Sequence, residues 1–97
     1  MNQKSGGDRH LSARGFTEKQ GQYLAFIYTY LRMFRRPPAE ADIQRHFQVT
    51  PPSVHQMIVT LERNGLISRQ PGLARSIQIL VAPKDLPILN WLGIDQS

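Results

Sequence analysis

A mainly α-helical domain closed by a small β-hairpin is the fold this sequence predicts, and three observations predict it. Apolar residues recur at helical spacing in three successive segments between Thr17 and Asn64. Each segment carries its own start or stop chemistry. After Gly65, two short apolar-polar alternating runs flank the turn signal Gln70-Pro71-Gly72. The order is therefore helix, helix, helix, strand, turn, strand.

The first helix begins at Thr17, where Gln20 three residues on completes a capping box and Phe16 stands at the staple position. It runs to about Phe34 or Arg35 and is stopped by Pro37-Pro38. Leu24, Ile27, Leu31 and Phe34 form one apolar stripe; Tyr23, Phe26, Tyr30 and Met33 form a second beside it. Together with Tyr28 they cover an arc of about 220°, twice what a surface helix buries, so something besides the next two helices is expected to cover it.

The second helix spans Glu40 to Phe47, with Ile43 and Phe47 facing inward and acidic Glu40 and Asp42 suited to the positive end of its dipole. Gln48-Val49 is too short for a linker. Thr50-Pro51 places a hydroxyl cap before a proline at the first helical position. This third helix runs to about Arg63 or Asn64 and is closed by Gly65. Its inward stripe is Val54, Met57 or Ile58, and Leu61. The strands are expected at Leu66-Ile67-Ser68 and from Ser76 through Val81.

The 97 residues, 40% of them hydrophobic, suffice for one small core. The domain is expected at residues 16–82, between a flexible arm at 1–15 and an apolar tail at 83–97. With zero cysteines, disulfides, thiol catalysis and thiolate zinc sites are excluded. No run approaches the roughly 18 apolar residues of a membrane span, and nothing near Met1 resembles a signal peptide. The expectation is a soluble, cytoplasmic protein with no membrane partner and no cofactor.

Catalysis and metal binding have little support. His10, His46 and His55 lack ligand spacing, and no carboxylate cluster accompanies them. Ser53 and His55, two apart on a helix, point to different sides. The glycine pair Gly6-Gly7 lies in the arm and makes no phosphate loop. The chain is read as a non-enzyme without a metal.

Charge points to a polyanion. Twelve basic against seven acidic residues give +5, and Lys4, Lys19 and Lys84 are the only lysines, so arginine dominates. Residues 1–39 hold most of the excess, and residues 64–82 carry Arg69 and Arg75 with no acid nearby in sequence. Arg32, Arg35 and Arg36 are explained by the negative end of the first helix and are assigned no contact. Arg9 and Arg14 are assigned to the arm.

Two short helices joined by a tight turn make a helix-turn-helix, whose second helix enters the DNA major groove by its N-terminal part. On that helix Pro52, Ser53, His55, Gln56, Val59 and Arg63 lie opposite the buried stripe. Gln56 can pair with an adenine edge, Ser53 and His55 can donate or accept, and Thr50 with the first N–H groups can hold a phosphate. Arg69 and Arg75, flanking the hairpin turn, would form a basic wing gripping phosphates or a minor groove. The fold class is thus a winged helix-turn-helix, a three-helix core plus a β-wing, with double-stranded DNA as the partner.

The words that carry a family likeness stand in order: T-E-K-Q from Thr17, R-P-P-A-E-A-D-I-Q from Arg36, V-T-P-P-S-V from Val49, L-E-R-N-G-L-I-S from Leu61 and G-L-A-R-S-I-Q-I-L from Gly72. They resemble the N-terminal DNA-binding domain of the LexA repressors over residues 17–80. The double proline and the L-E-R-N-G-L-I exit are also similar to MarR-like winged helices. By position, the resemblance implies that Thr50, Pro52, Ser53, His55 and Gln56 occupy the base-facing segment and Arg75 the wing-arginine position. Two departures limit it. Those repressors carry acidic residues where this chain has His55 and Gln56, so their operator does not transfer. The self-cleaving protease domain has no counterpart here, with no Ala-Gly dipeptide or following Ser/Lys pair, so autoproteolysis is not implied.

The remaining question is the tail. Asp85 is expected to cap a short helix through Leu92. Ile88, Trp91 and Leu92 are expected to cover the surplus arc of the first helix near Tyr23 and Tyr30, within one chain or across the two-fold axis of a homodimer on a palindromic site. The sequence thus points to a DNA-binding transcriptional regulator; the alternative is a winged helix that serves as a protein-interaction module.

Overall fold

The computed structural model describes residues 15–90. They form α1 (Glu18–Phe34), α2 (Glu40–Phe47), α3 (Pro51–Arg63), β1 (Ile67–Ser68), β2 (Gln78–Ile79) and a single 3-10 turn at Pro83–Asp85. The arm up to Arg14, with Arg9, and the tail from Trp91, with Leu92, lie outside the described residues.

Local chemistry sets the helix ends. Thr17 Oγ1 accepts the Gln20 N–H and Gln20 Oε1 accepts the Thr17 N–H, both at 3.0 Å, so two orphan donors are satisfied reciprocally. At the other end Arg35 turns left-handed (φ 64°) and gives its N–H to the Leu31 carbonyl. α2 is entered through Asp42, whose Oδ2 accepts the Ala39 N–H at 2.8 Å. Thr50 caps α3 by accepting the Ser53 N–H, with Pro51 at the first helical position. α3 leaves through a Schellman motif: Leu66 N–H reaches Leu61 O and Gly65 N–H reaches Glu62 O, both at 3.0 Å. Gly65 supplies the positive φ (76°) this exit requires.

The core joins all three helices to the hairpin. Leu24 and Ile27 of α1, Ile43 of α2, Val54, Ile58 and Leu61 of α3, and Ile67 and Ile77 beside the strands are buried together. Tyr23 stacks flat on Phe47, ring centroids 4.3 Å apart. Of the alternatives for α3, Ile58 is fully buried and Met57 only half-buried against the core.

The strands are antiparallel, with Ile67 opposite Ile79 and Ser68 opposite Gln78. A further bond from Leu80 N–H to Leu66 O extends the ladder. Inward and outward residues alternate from Ile77 to Val81 as expected, but β2 is shorter than the expected run from Ser76. Arg75 adopts φ 58°, which breaks extended backbone. Ser76 Oγ accepts the Gln70 N–H and donates to Leu73 O, so Ser76 closes the wing loop instead of starting a strand.

The expectations for the tail need correction. No helix runs from Asp85 through the described tail; after the 3-10 turn, Leu86 to Asn90 is irregular. Leu86 is held extended before Pro87, and Gln22 of α1 then clamps the backbone, its Nε2 donating to Ile88 O (2.9 Å) and its Oε1 accepting the Asn90 N–H (2.8 Å). That clamp aims Leu89, not Ile88, into the core: Leu89 is buried while Ile88 is 89% exposed. Tyr23 is likewise committed to the chain's own core and offers no face to a second copy. The far end of the α1 arc stays open, with Met33 and Phe34 more than half exposed.

Candidate nucleic-acid interface

α3 presents a rigid platform. Val54, Ile58 and Leu61 are fully buried on one side, which fixes the rotation of the helix. Pro52, Ser53, His55, Gln56 and Arg63 are exposed on the other, while Val59 is half-buried. α2 packs against α3 across the Gln48-Val49 turn, where Gln48 takes the left-handed conformation (φ 55°) that reverses the chain.

The polar groups on this platform are partly committed. Thr50 Oγ1 donates to Ser53 Oγ at 2.9 Å, which uses an acceptor of Ser53 and leaves its hydroxyl hydrogen to an outside partner. The Gln56 side chain makes no hydrogen bond among the described residues; only its carbonyl is used, accepting Thr60 Oγ1 at 2.9 Å. Gln56 is thus free to use both amide groups. His55 Nδ1 faces Glu40 Oε2 at 3.3 Å.

The two wing arginines are not free. Arg69 gives Nε to Glu62 Oε1 at 3.1 Å and Nη1 to Glu40 Oε2 at 3.4 Å. Arg75 Nη1 donates to Tyr30 Oη and Pro37 O, both at 3.2 Å, and forms an ion pair with Asp42 Oδ2 at 3.1 Å. The sequence shows no acid near either one, but packing of the wing on α2 brings Glu40 and Asp42 to them. These contacts seat the wing on the helices, so the phosphate or minor-groove grip expected of Arg69 and Arg75 would be made by guanidiniums already paired with carboxylates. Tyr30 likewise serves this seating, through its hydroxyl, and its ring packs at a tilt against Phe34 on its own helix.

Electrostatics follow from these pairs. Burial pushes the Asp42 carboxyl up, but the Ala39 N–H, the charge of Arg75 and bonds from Arg45 and Tyr30 outweigh it and hold the group below its ordinary value. Arg45 is shared with Asp42 at 3.3 Å, yet its side chain is 74% exposed. Arg63 closes α3 with no ion pair among the described residues. Sequence reasoning missed Glu40, Asp42 and Glu62 as the partners of the wing arginines. Glu40 and Asp42 showed only as dipole partners of α2, and no local spacing links them to the wing.

Among the described residues, no group of three or more His, Cys, Asp or Glu side chains is placed to hold a metal ion. No described helix is long and apolar enough to cross a membrane.

The comparisons with known proteins agree with this geometry. The model of the LexA DNA binding domain matches residues 13–76. The LexA repressor of Thermosipho melanesiensis is 39% identical over 64 residues, covering 66% of this chain and 32% of the relative. That of Thermosipho africanus is 35% identical over 72 residues, 74% and 36% of the two chains. The LexA repressor of Geobacter metallireducens is 34% identical over 65 residues, 66% and 32%. The chain spans about a third of the length of these curated relatives.

Proposed function

The chain belongs to the LexA DNA binding domain family, and on that premise we propose that it reads double-stranded DNA in a sequence-specific way and regulates transcription. The observation that carries this reading is α3. A helix locked by Val54, Ile58 and Leu61 holds Pro52, Ser53, His55 and Gln56 outward on its first turns, where a helix-turn-helix meets base edges. Ser53 donates, Gln56 does both, and Pro52 supplies an apolar contact for a thymine methyl. Arg63 and Arg45, with heads in solvent, are the candidates for phosphate.

The matched relatives are named repressors, and repression is the sign proposed here. The protein acts by occupying its site, in the cytoplasm and without an enzymatic step. Two copies would read a palindrome, each placing one α3 in successive major grooves.

A random-duplex selection followed by salt titration tests the reading. An enriched sequence whose affinity falls steeply with salt is the expected result. Failure to enrich any sequence would favour the second reading, a protein-interaction module. The seating of Arg69 and Arg75 on carboxylates and the exposure of Met33 and Phe34 are the observations on that side.

A further inference from the structure

Glu40 opens α2 yet reaches α3, where its Oε2 meets Nδ1 of His55 at 3.3 Å while Nη1 of Arg69 approaches the same oxygen at 3.4 Å. Arg69 is itself tied to Glu62, so the carboxylate is steadied from behind. Among the described residues His55 has no other hydrogen bond or ion pair. One turn away on α3 stand Pro51, Pro52, Ile58 and Val59, none of them charged.

We propose that Glu40 is a positioning residue that decides which base His55 reads. The proposal rests on the DNA reading above. A carboxylate only accepts, so the ring nitrogen facing it carries hydrogen. Nδ1–H is thereby fixed, and Nε2 is the nitrogen left for a partner. In neutral His55, Nε2 is a bare acceptor, which suits the exocyclic amine of cytosine or adenine in the major groove. Without Glu40 the ring is free to adopt the other tautomer, and the position loses its preference.

The test is a random-duplex selection at one fixed pH with the native chain, E40A, H55A and H55Q. The native chain is expected to enrich adenine or cytosine at one position. H55A and H55Q lose that preference at that position alone. E40A reduces it there by about five-fold, the worth of a single hydrogen bond, and leaves other positions unchanged. A native motif that H55A leaves unchanged overturns the proposal, as does an E40A motif identical to the native one. H55Q, changed at an exposed site, keeps the test open should E40A fail to fold. An absence of any enriched motif removes the DNA reading itself, an outcome distinct from a motif that ignores Glu40.

Discussion

Arg75 folds back from the wing so that its Nη1 lies 3.1 Å from Oδ2 of Asp42, the same oxygen that receives the Ala39 N–H at the start of α2. One carboxylate thus caps a helix and seats the wing. The guanidinium also reaches Tyr30 of α1 and the carbonyl of Pro37, so one wing side chain ties α1, the connector and α2 together from far along the chain. Asp42→Asn is expected to lower stability by about 1–2 kcal/mol, a figure discounted because Arg75 is a third exposed. The Asp42 carboxyl sits below its ordinary value when folded, so its contribution is full above the ordinary carboxylate range. It is lost as pH falls through the depressed folded value. Urea unfolding across acid pH checks this: below the ordinary carboxylate range the native chain should lose more stability than Asp42→Asn does.

The same contact bears on DNA. A guanidinium already held by Asp42 releases few counterions from a phosphate backbone, so Arg75→Ala should destabilise the fold while leaving the salt slope of binding unchanged. Arg63→Ala should do the reverse, lowering the slope by about one with little effect on the melt. A salt slope that falls with Arg75→Ala would return Arg75 to the DNA surface.

Gly21 shows how tightly the tail is seated on α1. A Cβ there would stand 2.9 Å from Phe16 Cε1 and 3.1 Å from Pro87 Cγ. Alanine normally gains about 1 kcal/mol over glycine within a helix. Here the clash with a buried ring is expected to exceed that gain, giving a net loss of about 1 kcal/mol for Gly21→Ala. Thermal melting measures it, and an unchanged or raised midpoint would show that Phe16 and Pro87 move aside freely.

These contacts mark where the sequence stops being legible. Helix ends were readable because their chemistry is local: Thr17 with Gln20, Thr50 with Pro51, and Gly65 each act within one turn. The outward set on α3 was readable because the period of the buried stripe fixes the opposite face. The partners of Arg69 and Arg75 were not, since only the docking of the wing on α2 brings Glu40 and Asp42 to them. Ser76 alternates like a strand residue, and nothing local reveals that its hydroxyl closes a loop. Ile88 and Leu89 differ little as neighbours in an extended segment; the clamp from Gln22 decides which one is buried.

His46 is packed between aromatic rings, stacked on Phe26 at 4.5 Å and edge-on to Phe47 at 4.7 Å, with Nε2 buried and unpartnered. Burial pushes its imidazole down. The unfolded chain therefore takes up a proton in a range where the folded one does not. Stability is full above about pH 6.5 and falls as pH drops from there toward the lower folded value. Urea midpoints near neutral and mildly acidic pH should differ in the native chain and converge in His46→Phe. A pH dependence that survives this substitution would place its origin elsewhere.

Gln56 separates base reading from general affinity. Its amide is free among the described residues, on a helix whose rotation is fixed by Val54, Ile58 and Leu61. A bidentate pair with an adenine edge is worth about 1–3 kcal/mol of discrimination. Gln56→Ala should therefore lose about that much on the preferred duplex and little on random DNA, whose binding depends on phosphates alone. Competition binding at fixed salt measures both losses side by side. Equal losses on the two duplexes would mean that Gln56 shapes the surface without reading a base, and that specificity must come from Ser53 and His55.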